Sequence, residues 1–102
     1  MNSEYVKQAC PLCQADAEYC WVDMGNRKYF HCPRCGYFQV SRRAEVLLNE
    51  SDGAVREHFS RLAKKTPPGM LFVILMPKPS ASGELVESFD ATHVLKSDAP
   101  LR

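Results

Sequence analysis

The sequence predicts an α+β protein, and three observations support this fold class. Two Cys-x-x-Cys pairs flank a stretch of aromatic and β-branched residues that is typical of a β-hairpin. Two amphipathic helical patterns follow the second pair, and a short apolar run follows the helices. We therefore expect an N-terminal three-stranded antiparallel sheet, two short helices, one further buried strand and a C-terminal tail.

The predicted hairpin lies between the two cysteine pairs. Residues 17–23 favour a strand, residues 24–26 supply a turn that contains glycine and asparagine, and residues 27–31 return to an extended pattern. Residues 37–40, with the sequence Tyr-Phe-Gln-Val, come directly after the second pair and can form a third strand. The cysteine-bearing sheet is therefore predicted within residues 8–40.

Two helices are predicted over about residues 42–65. Ser41 is suited to cap the first helix, which we expect to end near Asn49, and Ser51 or Asp52 is suited to cap the second. Apolar side chains three and four residues apart predict one buried stripe on each helix. These residues are Ala44, Leu47 and Leu48 on the first helix and Val55, Phe59 and Leu62 on the second.

The apolar run of residues 70–76 is short and bounded by prolines, which favours a strand buried on both faces. A polar connector follows it, and residues 84–102 have only scattered apolar side chains. We expect one domain over residues 1–76, with residues 77–102 as a connector and tail.

Four of the five cysteines form two pairs that are separated by eighteen residues: Cys10 with Cys13, and Cys32 with Cys35. This spacing matches four-thiolate zinc sites, in which each pair aims two sulfurs at one ion. Because four protein thiolates leave no open coordination position, we predict a closed, structural zinc site without zinc chemistry.

Both pairs have the form Cys-Pro-x-Cys, and Gly36 follows the second pair. Here the sequence resembles the zinc-ribbon superfamily over residues 8–40, which implies two knuckles and a three-stranded antiparallel sheet around one zinc. Gln14 stands where the first knuckle would have a glycine. The Cys-Pro-Arg-Cys-Gly-Tyr segment also resembles half of a rubredoxin, so iron is the alternative metal, although the segment between the pairs is short for a rubredoxin.

Two residues near the pairs are left out of the predicted ligand set. Cys20 lies within the predicted hairpin and is expected to pack as a small apolar group. His31 precedes Cys32 and is expected to lie beside the site or on the surface.

Residues 24–44 contain five cations and no acid, although the net charge of the chain is only +1. Tyrosine and phenylalanine alternate with these cations, a mixture that can contact both the phosphates and the bases of DNA or RNA. Alternatively, the rings form the sheet core and the cations are solvated. The predicted nucleic-acid contacts are Arg27, Lys28, Arg34, Arg42 and Arg43.

Arg42 and Arg43 fall in the first turn of the first predicted helix, where the helix dipole disfavours cations. A bound anion such as phosphate, or an acidic partner surface, would explain them.

No catalytic combination of nucleophile, base and orienting group is visible, so we predict a non-enzyme with no small-molecule substrate. One candidate function is a nucleic-acid-binding module. The other is a protein-interaction adaptor, whose partner would bind an exposed edge of strand 70–76 or residues 84–102. A homodimer formed through that strand edge is one version of it. No apolar run reaches the roughly 18 residues of a membrane span and no signal sequence is visible, so a cytoplasmic protein is expected.

Overall fold

One mixed β-sheet forms the centre of the computed structural model, which describes residues 5–75 and 89–100. The described strands lie in the sheet in the same order as in the sequence, and every neighbouring pair is antiparallel except β4 and β5. The elements are β1 (Val6–Ala9), β2 (Asp16–Val22), β3 (Arg27–Cys32), β4 (Gly36–Ser41), α1 (Arg42–Glu50), α2 (Gly53–Lys64), β5 (Met70–Leu75) and β6 (Asp90–Leu95).

The two helices connect β4 to β5, and such a crossover is what a parallel pair requires. Each helix begins where a side chain caps it. The Ser41 hydroxyl accepts a hydrogen bond from Ala44 N at 3.2 Å, and the Asp52 carboxylate accepts one from Val55 N at 3.4 Å. Neither described helix has the length and apolar character needed to cross a membrane.

The sheet is larger than the sequence predicts. The expected three-stranded antiparallel unit corresponds to β2, β3 and β4, and the predicted buried strand joins the same sheet as β5. The strands that were not predicted are β1 at one edge and β6 at the other. β6 lies in the region that is predicted to be a tail. That region contains a strand because β6 pairs along its whole length with β5. Residue 76, residues 77–88 and residues 101–102, which belong to the predicted strand end, connector and tail, lie outside the described residues.

Both helices pack on one face of the sheet and enclose the core. Phe30 and Phe38 are fully buried there and stack with ring centroids 5.2 Å apart. The same cluster contains Ala44 and Leu48 from α1, Phe59 and Ala63 from α2, and Phe72 and Ile74 from β5. Of the predicted helical stripes, Ala44, Leu48 and Phe59 are buried in this cluster, and Val55 and Leu62 are partly buried against it. Leu47 is half-buried and is not part of the cluster.

β5 is buried on both faces, as its continuous apolar sequence predicts, since Leu71 to Ile74 are each at most 2% exposed. β5 lies between β4 and β6, so it is not an edge strand. The homodimer prediction assumed an exposed edge of this strand, and β6 of the same chain pairs with that edge. On the face opposite the helices, the buried Gln39 amide donates a hydrogen bond to Pro100 O at 2.5 Å. Pro100 thus lies against the sheet.

Candidate metal centre

The two cysteine pairs lie at the same end of the sheet. The first pair forms the turn between β1 and β2, and the second forms the turn between β3 and β4. Because these are antiparallel hairpins related by the β2–β3 pairing, both turns fall at one end. The strand register therefore brings together residues that are far apart in the sequence.

All four predicted ligands converge. The sulfurs of Cys10, Cys13, Cys32 and Cys35 lie within 4.8 Å of one another. The Cys13–Cys32 sulfur distance is 3.5 Å and the Cys10–Cys35 distance is 4.0 Å. A tetrahedral site with metal–sulfur bonds of about 2.3 Å has sulfur–sulfur distances of about 3.8 Å. The donor set and its dimensions therefore fit one four-coordinate metal ion, and the arrangement is compatible with a zinc-ribbon-like module.

Backbone amides of the two turns point at the ligand sulfurs. Leu12 N is 3.4 Å from Cys10 Sγ, and Arg34 N and Cys35 N are each 3.4 Å from Cys32 Sγ. Hydrogen bonds of this kind stabilise the negative charge of a thiolate, which is the form that binds metal.

Both turns also close through a residue with positive φ. Gly36 has φ +87°, as its position predicts, and Gln14 has φ +66°. The first turn therefore has the same backbone shape as the second although it lacks the glycine.

The thiol protonation states follow from these contacts. Cys10 donates its thiol hydrogen to Cys35, which raises the pKa of Cys10 and, with help from Ser60, lowers the pKa of Cys35 to about 5. Burial raises the pKa of Cys13. Since metal ligands must be deprotonated, binding of an ion would release protons from these thiols.

Cys20 and His31 lie outside the cluster of four cysteines. Cys20 is half-buried on the face of the sheet that is opposite to the helices, and burial raises the pKa of its thiol. His31 is exposed, with its Nδ1 atom 3.8 Å from Glu18 Oε1 and its ring stacked on Tyr37. All five cysteines are free thiols.

No protein-family model, curated protein or solved structure was found to match this chain in the comparisons. The candidate function therefore has to be argued from the geometry.

The basic residues of the predicted nucleic-acid interface do not form one surface. Lys28 is only 13% exposed, and its ammonium group is 2.8 Å from both Glu45 Oε1 and Gln8 Oε1. The same group lies 4.4 Å from the centre of the Tyr19 ring. Lys28 is thus neutralised inside the fold.

Arg42 is also held by the chain itself. Its Nε atom donates a hydrogen bond to Gly25 O at 2.6 Å, and its guanidinium group lies 4.6 Å from the centre of the Trp21 ring. A cation in the first turn of a helix was expected to need a partner, and the Gly25 carbonyl in the β2–β3 turn is that partner. For Arg42, an external anion is not needed to explain the sequence.

The other three cations are spread over the sheet. Arg27 contacts Asp23 at 3.5 Å and donates to Gln39 Oε1 at 3.2 Å. Arg34 and Arg43 are exposed, but Arg34 precedes β4 and Arg43 follows it. The six residues of β4 span about 20 Å, so these two arginines lie near opposite ends of the strand.

Aromatic rings from β3 and β4, and from Tyr5 just before β1, line the face of the sheet opposite the helices. Tyr37 is 48% exposed, and the His31 ring stacks on it at 4.4 Å with an angle of 6° between the planes. Tyr29 contacts Tyr37 edge-on, with ring centroids 5.8 Å apart. Burial and the nearby hydroxyls of Tyr37 and Tyr5 raise the pKa of Tyr29. We call Tyr5, Tyr29, His31 and Tyr37 the open aromatic face.

Sequence reasoning missed one residue at the metal centre. Ser60, on the buried side of α2, has its hydroxyl oxygen 3.1 Å from Cys35 Sγ. In the sequence, Ser60 directly follows Phe59, which lies on the predicted buried stripe of the second helix. That position is the signal that could have indicated a buried serine.

Proposed function

We propose that this protein is a small binding module stabilised by one structural zinc ion, that it is not an enzyme, and that its open aromatic face binds single-stranded DNA or RNA. The zinc assignment rests on the four convergent sulfurs. A bound zinc ion would supply a cross-link between the two turns, and four thiolates leave no position for a substrate.

Metal analysis tests the first part of the proposal. Elemental analysis of purified protein should give one zinc per chain, and the protein should be colourless. A chain that carries one iron and absorbs visible light would replace zinc by a rubredoxin-like site, and a metal-free folded chain would contradict both. Cobalt substitution should give the intense thiolate-to-metal bands of a four-sulfur site.

Support for the nucleic-acid part comes from the exposed His31 and Tyr37 rings, which stack in parallel planes. Every base has a flat π face, so exposed aromatic rings on an open sheet can stack bases without regard to sequence, at about 1–3 kcal/mol per base. Arg27, Lys28 and Arg42 contact other side chains or the backbone of the fold, which leaves Arg34 and Arg43 as the exposed cations of the predicted set without an ion pair or side-chain hydrogen bond among the described residues. The binding energy is therefore expected to come more from stacking than from phosphate contacts.

A salt titration distinguishes these contributions. For a labelled single strand of about ten nucleotides, two phosphate contacts predict a slope of about −1.4 in a plot of log K against log salt. The double variant Arg34→Ala/Arg43→Ala should bind more weakly and lose most of this slope. Arg42→Ala is avoided because it would also remove the contacts to Gly25 and Trp21.

Substitutions at Tyr37 test stacking itself. Tyr37→Leu removes the ring but keeps an apolar side chain, and it should weaken binding by about 5-fold or more, since stacking contributes at least about 1 kcal/mol per base. Tyr37→Phe keeps the ring and should bind like the wild type. Equal binding by Tyr37→Leu would exclude base stacking on this ring.

A protein-interaction adaptor is the other candidate function. The edge of β5 does not support it, because β6 pairs with that edge. If the wild-type protein binds neither single nor double strands at low salt, nucleic-acid binding is wrong and the adaptor takes its place.

A further inference from the structure

One side chain of the helical layer reaches the metal centre. Ser60 Oγ lies 3.1 Å from Cys35 Sγ, a distance within hydrogen-bonding range for sulfur. Ser60 is only 5% exposed and lies between Phe59 and Ala63, which belong to the core cluster. A hydroxyl on this side of a helix destabilises the fold unless it is hydrogen-bonded, so a partner is required here. Cys35 is that partner.

Cys35 differs from the other buried ligands in what donates to its sulfur. Cys10 and Cys32 each accept a hydrogen bond from a backbone amide of their own turn. Among the described residues, the hydrogen-bond partners of Cys35 Sγ are side chains: Cys10 donates to it, and the Ser60 hydroxyl pairs with it in a contact where either group can donate. Once all four cysteines are deprotonated for metal binding, Cys10 no longer has a hydrogen to donate. Ser60 then remains as the donor.

We propose that Ser60 is a positioning residue that donates a hydrogen bond to the Cys35 thiolate and thereby couples α2 to metal binding. This inference rests on the proposed zinc site. The hydrogen bond fixes the direction of the Cys35 sulfur and withdraws electron density from it. Through the same contact, a bound metal would connect α2 to the two cysteine turns. Hydrogen-bonding partners of metal ligands contribute about 10–100-fold in metal affinity in well-studied sites.

The test compares Ser60→Ala with Ser51→Ala. Alanine is smaller than serine and favours helix, so Ser60→Ala is expected to fold. Ser51 is a matched control, because its hydroxyl also bonds within the helical layer, to Leu47 O at 2.6 Å, but it lies outside the cysteine cluster. Zinc affinity is measured by competition with a chromophoric chelator, and the thiolate-to-cobalt charge-transfer band is recorded for each cobalt-loaded variant.

Ser60→Ala should bind zinc about 10–100-fold more weakly than the wild type. Its charge-transfer band should move to lower energy, because a thiolate without the hydroxyl donor is more electron-rich, and Ser51→Ala should match the wild type in both measurements. Unchanged affinity and spectrum in Ser60→Ala would overturn the inference, and so would an equal loss in both variants. Failure of the wild type to bind zinc would instead overturn the metal proposal on which it rests.

Discussion

The two cysteine turns have nearly the same sequence pattern and backbone shape but very different surroundings. In the first turn, Pro11 and Leu12 are buried, whereas in the second turn the corresponding Pro33 and Arg34 are exposed. The first turn is thus part of the hydrophobic core, and the second presents its tip to solvent. A metal-binding motif therefore specifies where the sulfurs go, whereas packing on the rest of the turn specifies how well the turn tolerates substitution.

Replacing a metal ligand should have the same effect in either turn, although the turns differ in burial. Cys13→Ser and Cys35→Ser should each lower zinc affinity by more than about 100-fold, the upper end of the loss seen for residues that only support a ligand. The melting temperature of either variant should fall toward that of the chelator-treated wild type, because binding energy at a structural site contributes directly to folding. Differential scanning fluorimetry with and without chelator measures this.

Cys20→Ser is the matched control for both ligand variants, since Cys20 is outside the cluster. It should keep one zinc per chain and nearly wild-type affinity. A zinc-replete Cys13→Ser protein would contradict the assignment of Cys13 as a ligand.

Substitution of the residue just before the second cysteine of each pair, Leu12 or Arg34, should show the largest difference in stability between the turns. Leu12 is 4% exposed, so Leu12→Ala should lower the free energy of unfolding by about 2–5 kcal/mol. The equivalent change in the second turn, Arg34→Ala, should stay within about 0.5 kcal/mol. Urea denaturation of the zinc-loaded proteins measures both. Equal losses at the two positions would show that the turns do not differ in packing as described.

The positive-φ positions should show smaller effects than Leu12, with opposite signs in the two turns. A Cβ at Gly36 would have no heavy atom within 4 Å, so Gly36→Ala should cost only the conformational penalty of about 1–2 kcal/mol. Gln14→Gly relieves a similar penalty but makes the unfolded chain more flexible, so a net stabilisation of about 0.5–1 kcal/mol is expected. The same urea experiment measures both. Destabilisation by Gln14→Gly would mean that the Gln14 side chain makes a stabilising contact.

Several features were predictable because they depend on local chemistry. Ser41 and Asp52 mark the helix starts by capping, and the continuous apolar sequence of β5 predicts a strand buried on both faces. The spacing of the two cysteine pairs predicts their convergence at one site.

The features that were missed depend on pairing partners distant in the sequence. β1 has four mostly exposed residues, and β6 shows only scattered apolar positions, because each lies at an edge of the sheet. Their strand character comes from hydrogen bonds to β2 and β5 rather than from their own composition. Likewise, nothing local distinguishes Lys28, which is only 13% exposed, from Arg34, which is exposed.

The sequence by itself determined the candidate ligands, the order of most elements and the buried stripes, because spacing, capping and periodicity act within a few residues. The tertiary structure alone decided which cations are available, which aromatic rings stay exposed and which helix residue contacts a ligand sulfur. Those outcomes depend on register and on the choice of sheet face. A shift of one residue in a strand moves a side chain from the helix-covered face to the open one.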